Sequence, residues 1–247
     1  MKKIPILFGA LYHVWYFAVQ FLVILAILPF IFITSMNENG YRRFFRWAKI
    51  WGKAVLFFMG CLPRINWKYK PSTDQPYIII ANHASELDIM MTFALVPSPF
   101  VFIGKKELAR IPLFGYFYRR TNILVDRSSL RSKKRVLEMA SEKLRKGIGV
   151  CIYPEGGIPP KSIELAPFKA GAFKLAIEEG VPILPITYPD NGRRFPDMWE
   201  GGAPGSLRAT IHPPIETKDL TLQDLPELRE RCYQLIRSEL HRLKKES

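Results

Sequence analysis

The chain has 247 residues, 48% hydrophobic and 23% charged, which excludes a disordered chain and allows one sizeable domain with an appendage. Its formal net charge of +14 calls for an anionic partner: nucleic acid, a phosphorylated metabolite or an acidic membrane surface. Cys61, Cys151 and Cys232 are far apart and odd in number, so they offer neither a disulfide framework nor a zinc spacing. Cys151 sits in an apolar run and reads as a buried small hydrophobe, in keeping with a reducing, cytosolic main domain. The four histidines form no metal-ligand cluster by spacing, so no catalytic metal is expected.

Residues 4 to 33 read IPILFGALYHVWYFAVQFLVILAILPFIFI, without a Lys, Arg, Asp or Glu. About 20 apolar residues suffice to cross a hydrocarbon core. A cleaved secretory leader is the first rival reading, but this run is far longer than a usual leader core and no small-residue cleavage site follows. Pro29 falls late in it, and SMNENG at 35 to 40 signals a turn. The next stretch, YRRFFRWAKIWGKAVLFFMGCL, places Arg42, Arg46, Lys49 and Lys53 along one helical stripe, with Phe44, Phe45, Trp47, Trp51, Phe57 and Phe58 elsewhere. That pattern suits a helix in the membrane interface. The alternative is a pair of core helices in a soluble bundle. Basic residues are far denser after residue 41 than before residue 4, so the main domain should face the cytoplasm. Both a spanning first helix and a two-helix hairpin held in one leaflet satisfy this. Residues 1–62 are therefore expected to form a membrane-associated helical segment, and 63–247 the main domain.

That domain alternates strands and helices. INWKYKP at 65–71 predicts a strand, and YIIIA at 77–81 a buried one ending at NHASELD. DIMMTFALV at 88–96 has helical spacing, FVFIG at 100–104 is a strand, and KKELARIPLFGYFYRR is a helix or helix-turn broken near Pro112 and Gly115. NILVD at 122–126 is a strand, 130–147 a helix closed by Gly147, and GVCIYP at 149–154 a strand. Residues 168–180 form a helix ended by Gly180, PILPITY and RATIHPP are strands, and 221–246 a basic amphipathic helix. GRRFPDMWEGGAPGS at 192–206 is a loop by composition. The expected fold class is α/β, a mostly parallel central sheet flanked by helices, preceded by the two-helix membrane-associated hairpin. Ligands of such sheets gather at the carboxyl ends of strands, where NHASELD, VDR and YPEGG lie.

His83 follows a buried strand, and a neutral imidazole can take a proton from a hydroxyl near neutral pH. Its other nitrogen needs an acceptor, which Asp88 could be. The two meet if His83 sits in the loop and Asp88 in the first helical turn. Ser85 and Asp88 also fit the [ST]-x-x-[DE] capping pattern, which would explain Asp88 without catalysis. GKKEL puts Lys105 and Lys106 at a strand exit, and VDRS puts Arg127 at another, where a guanidinium can grip a phosphate. Each could equally be a solvated surface charge. In YPEGG, Glu155 precedes Gly156 and Gly157, whose backbone N–H groups could approach an anion or merely form a turn.

Together these residues resemble the glycerophospholipid acyltransferase family, most of all its 1-acylglycerol-3-phosphate acyltransferases. The N-H-x-x-x-x-D box is matched by Asn82, His83 and Asp88, the Asp-Arg block by Asp126 and Arg127. Phe-Pro-Glu-Gly-Thr-Arg is matched by Tyr153, Pro154, Glu155 and Gly156, and Val-Pro-Ile-x-Pro by VPILP at 181–185. Order and spacing agree over about residues 75 to 190. The chain departs from the family at Gly157 and Ile158, where Thr-Arg is usual. That arginine is a family candidate for the substrate phosphate, so its task would fall to Lys105, Arg127 or Lys161.

The resemblance implies acyl transfer from acyl-CoA or acyl-carrier protein to the sn-2 hydroxyl of lysophosphatidic acid, giving phosphatidic acid. His83 would be the general base and Asp88 its orienter. Lys105, Arg127, Glu155, Gly156, Gly157 and Lys161 would bind substrate, with no cofactor beyond the thioester co-substrate. Implied partners are the lysophospholipid, the acyl thioester, anionic membrane lipid and, as an alternative donor, an acyl-carrier protein. No hydrolase G-x-S-x-G elbow is present. Three rivals are kept: an acyltransferase for glycerol-3-phosphate or another lysolipid, a membrane-tethered esterase, and a basic membrane-anchored nucleic-acid-binding protein using RSKKR at 131–135. No nucleic-acid module is recognisable, and nucleic acid is not an expected partner.

Overall fold

The computed structural model describes residues 6–35, 40–126, 129–197 and 200–246. The uncharged run forms one helix, α1 (Ile6–Ser35), which contains Pro29. Thr34 Oγ1 donates to Phe30 O at 2.7 Å within its final turns. Residues 7–34 have a mean hydropathy of 2.6, and 22% of their most apolar stretch is buried. By length and composition α1 can cross a membrane, and so little burial is unlike a core helix of a soluble bundle. Helix α2 (Tyr41–Phe58) buries Phe44, Phe45, Ala48, Trp51, Val55 and Leu56 along one face. Arg42, Arg46 and Lys53 are exposed, as the basic stripe requires.

The seven strands are β1 (Pro63–Trp67), β2 (Ile78–Ala81), β3 (Phe100–Lys105), β4 (Asn122–Val125), β5 (Gly149–Ile152), β6 (Ile183–Thr187) and β7 (Leu207–Ile211). They form one sheet of order β1-β7-β6-β2-β5-β3-β4. Strands β2 to β6 are parallel, and β7 runs antiparallel to β6. Strand β2 is wholly buried, with Ile79 opposite Cys151 of β5 on one side and Leu184 of β6 on the other. This is the continuous apolar run that a central parallel strand demands.

By its contacts the chain divides into two compact units, one of residues 1–66, 84–96 and 188–209, the other of 67–83, 97–187 and 210–247. In the first, α1 and α2 pack on each other, with Phe30 stacked on Trp47 at 4.4 Å and Trp15 Nε1 donating to Phe58 O at 2.9 Å. Helix α2 also packs on α3 (Leu87–Leu95), where Gly52 permits close approach. A Cβ there would lie 2.9 Å from Met90 O. The N-terminal helices therefore cover the helix that carries Asp88. Removing residues 1–62 would uncover Phe93 and Met90.

The second unit holds the parallel strands with α4 (Phe114–Thr121), α5 (Leu130–Arg145), α6 (Gly171–Glu179) and α8 (Leu225–Lys245). The expected break falls at residues 111–113, between a 3-10 helix, Lys106–Arg110, and α4. Helix α6 starts three residues later than its periodicity predicts. The reason is local: Ala166 N–H donates to Glu155 and Lys169 N–H to Pro154 O, so these groups serve a turn instead. Its end at Gly180, φ +60°, is the left-handed stop expected there. In the first unit, the segment predicted as a loop at 192–206 opens with a helical turn, α7 (Asn191–Arg194), while Met198 and Trp199 lie outside the described residues.

Two buried ionisable groups of the second unit make its stability depend on pH. Burial, aided by the Lys68 charge, pushes the His212 imidazole down to about 4 from 6.5, while its Nε2 lies 2.9 Å from Thr187 Oγ1. Burial would raise Glu239, but hydrogen bonds from Arg242, Lys68 and Thr210 outweigh it and hold the carboxyl at about 2. Unfolding lets His212 bind its proton first, so stability should fall as pH drops from 6.5 towards 4, and Glu239 should extend the loss from 4.5 towards 2. Denaturant midpoints should follow this course, and His212→Gln should flatten the segment between 6.5 and 4.

Candidate active site

His83 stands just beyond β2, and Tyr153 just beyond the neighbouring β5, at the carboxyl edge of the parallel strands. Their rings stack at 4.1 Å with 12° between planes, and Phe102 lies beyond Tyr153 at 6.1 Å. The next residue but one, Glu155, is 7% exposed. Its Oε1 accepts the His83 backbone N–H at 2.7 Å, and its Oε2 accepts the Ala166 N–H at 2.9 Å. Charge-assisted bonds of this kind are about twice as strong as neutral ones. The imidazole is thus held by a ring beneath it and a carboxylate on its own backbone. The resemblance implies a substrate-binding Glu155, and here both its oxygens are engaged by the chain itself.

In the first unit, Asp88 lies in the opening turn of α3 and is fully buried. Its Oδ2 accepts the N–H groups of Ala84 and Ser85 at 2.7 and 2.9 Å, and its Oδ1 accepts Asn191 Nδ2 at 2.6 Å. The capping pattern is therefore half realised. Asp88 reaches back to the Ser85 N–H, while Ser85 Oγ accepts from Leu87 N at 3.2 Å and donates to Phe195 O at 2.7 Å. Along the chain, Glu155 grips residue 83 and Asp88 grips 84 and 85, so three consecutive backbone N–H groups end on carboxylates.

Asn191 carries no motif signal and is missed by sequence reasoning. Its amide orientation is dictated by Asp88, since a carboxylate can only accept. Its own Oδ1 is buried without a hydrogen-bond partner. Asp190 anchors this turn: burial would raise its carboxyl, but the hydrogen bonds and charge of Arg208, with the Arg193 charge, hold it below the ordinary carboxylate range.

Gly156 has φ +84°, a conformation suited to glycine, and its N–H donates to Tyr153 O at 3.0 Å. That leaves the Gly157 N–H as the donor of this turn available to an anion. Lys105 is exposed at the end of β3, while Lys106 forms an ion pair with Asp126. Lys161 is exposed on the loop after the glycines, and Arg127 lies outside the described residues. A further cation, outside the four motifs, is Lys169. Its ammonium lies over Gly156, where an added Cβ would come within 2.1 Å of Nζ. Lys169 N–H donates to Pro154 O at 2.8 Å, which ties the residue to the same turn. The PFKAGA run in which it sits was the available signal.

A family model described as Acyltransferase matches residues 64–189, just over half of the chain. The chain is 30% identical over 182 residues to the 1-acyl-sn-glycerol-3-phosphate acyltransferase of Escherichia coli, covering 72% of this chain and 73% of that one. It is 32% identical over 189 residues to the chloroplastic 1-acyl-sn-glycerol-3-phosphate acyltransferase BAT2 of Brassica napus, covering 76% of this chain. The chain spans about half the length of such plant relatives. The crystal structure of the 1-acyl-sn-glycerophosphate acyltransferase from Thermotoga maritima has the same fold, with a TM-score of 0.81 at 24% identity over 99% of this chain and 98% of that one.

Asn191→Leu should leave a buried Asp88 oxygen without its donor, lowering stability by about 1–3 kcal/mol. Asn191→Asp should do worse, and more so at alkaline than at acid pH, because two carboxylates then face each other. Thermal unfolding of both variants across pH checks this.

Proposed function

Because the chain belongs to the acyltransferase family, we propose that it moves a fatty acyl group from acyl-CoA or acyl-carrier protein to the sn-2 hydroxyl of 1-acylglycerol-3-phosphate. The observation that carries this reading is the doubly held His83, stacked on Tyr153 and bound through its backbone by Glu155. A base that must reach a hydroxyl in a near-attack geometry benefits from such a mount.

In the proposed reaction His83 takes the hydroxyl proton as the oxygen attacks the thioester carbon. Asp88 orients the imidazole and stabilises its charged form. The tetrahedral intermediate carries an oxyanion, for which the Gly157 N–H is the proposed donor. Collapse breaks the carbon–sulfur bond, and the thiolate leaves with the proton from His83. The products are the diacyl phosphate and free thiol, with no covalent enzyme intermediate.

The acceptor phosphate needs a cation. Ile158, 49% exposed, is apolar and cannot serve. Lys169 is proposed for this role, with Lys105 and Lys161 as supporting charges and Arg127 retained from the motif. Residues 1–62 are proposed to attach the chain to a membrane, with the α/β part on the cytoplasmic face, so that long-chain lipids need not cross water. The exposed apolar length of α1 supports this.

Purified full-length protein given the lysolipid and acyl-CoA should yield phosphatidic acid. His83→Ala should lower turnover by roughly 10²- to 10⁴-fold; near-normal turnover would remove the base assignment. Lys169→Gln should raise KM for the phosphorylated acceptor far more than for an uncharged glyceride, and an equal change for both would move the phosphate site elsewhere. Running CoA and carrier-protein donors against glycerol-3-phosphate and other lysolipids selects the acceptor.

A further inference from the structure

We propose that the carboxyl edge of the parallel strands in the second unit is itself a docking surface for an anionic bilayer, inserted through two loops. Eight large apolar side chains are exposed among the described residues of that unit. Trp67, Met139 and Leu222 are scattered over separate elements, as surface apolar residues usually are. The other five fall on two loops: Leu108, Ile111 and Leu113 after β3, and Ile158 and Ile163 after β5. Strands β3 and β5 are neighbours, and β5 also adjoins β2, which ends at His83. Both apolar loops therefore leave the same edge of the sheet as the proposed base.

Neither loop is a slack connection. In the first, Phe114 N–H donates to Pro112 O at 2.6 Å across Leu113, which has φ +60° and ψ −56°. That is the strained form of the γ-turn, rare for any side chain and costly for leucine. Gly115 N–H closes on Ile111 O at 2.7 Å, and Gly115 lies so near Ala109 that an added Cβ would sit 2.3 Å from the Ala109 carbonyl. Ala109 is buried while its neighbours point outward. A backbone strained and pinned to display Leu113 at the surface is unexpected unless something apolar covers it. In the second loop, Ile163 N–H donates to Pro160 O at 2.8 Å. Glu155, Tyr233 and Lys244 tie residues 164–166 down.

Charge selects the occupant. Lys105, Arg110 and Lys161 are exposed beside these side chains. Of the nearby acids, Asp126 pairs with Lys106 and Glu164 with Lys244, which leaves Glu107 as the exposed carboxylate within the first loop. Aliphatic tips ringed by Lys and Arg match the headgroup boundary of an anionic membrane, with apolar groups below the phosphates and ammonium or guanidinium groups among them. An edge so docked would present His83 to lipid without the acceptor leaving the bilayer. The purpose of the surface rests on the proposed acyl transfer, but its existence does not.

The test uses full-length protein with a single added cysteine carrying an environment-sensitive fluorophore. Cys61, Cys151 and Cys232 are buried, so the label goes to the introduced thiol. Probes at Ile111→Cys and Ile163→Cys are compared with Met139→Cys on α5. On phosphatidylcholine vesicles containing phosphatidylglycerol, the first two should shift to the blue. They should be quenched several-fold more than the third by lipids with a nitroxide near the headgroup. If they stay as water-exposed as the probe at 139, the proposal fails. It fails equally if they answer to an acidic acyl-carrier protein and not to vesicles. Turnover is not measured, so a wrong acceptor would leave this result standing, and water-exposed probes would leave the acyl transfer standing.

Discussion

A buried carboxylate that binds backbone holds the candidate site together. Glu155 takes the N–H of His83 with one oxygen and the N–H of Ala166 with the other. One side chain therefore fixes the residue after β2, the turn after β5 and the loop that leads into α6. The neighbouring features depend on it. Tyr153 can stack on His83 because the turn two residues later is tethered to the His83 backbone. Lys169 can overlie Gly156 because the chain from Ala166 to Lys169 is held back against Pro154 and Glu155. Removing this partner would leave two half-buried donors unpaired, at a cost of up to about 1–3 kcal/mol each.

A second carboxylate does the same work in the first unit. Asp88 collects Ala84, Ser85 and Asn191, and α2 covers the helix on which it rides through the close approach at Gly52. The N-terminal helices thus support the site's architecture as well as supplying apolar length. A segment with both features links that apolar length to the integrity of α3, so changes in α2 are expected to reach Asp88.

Much of this was legible in the sequence. The parallel strands announced themselves as apolar runs, Gly180 marked a helix end, and the polar strand exits fall at the carboxyl edge of the sheet. His83 and Asp88 stood out as candidates because a motif with fixed spacing contains them. The roles of the other residues were hidden for physical reasons. Glu155 looked like a ligand-facing acid because its partners are backbone N–H groups, which every residue but proline has. Asn191 is 103 residues from Asp88, and only the fold brings the two within 2.6 Å. Lys106 looked equivalent to Lys105 until pairing with Asp126 set them apart. The strain at Leu113 has no sequence mark, since leucine rarely adopts positive φ.

The central claim is that Glu155 holds His83, the proposed base, and does not bind the proposed acceptor. Steady-state acyl transfer by Glu155→Gln and Glu155→Ala, with lysolipid and thioester each varied to saturation, tests it most directly. The account predicts a large fall in kcat for the alanine variant, a smaller one for the glutamine variant, which keeps one acceptor oxygen, and little change in KM for either substrate. A raised KM for the lysolipid with kcat preserved would contradict it and return Glu155 to the substrate.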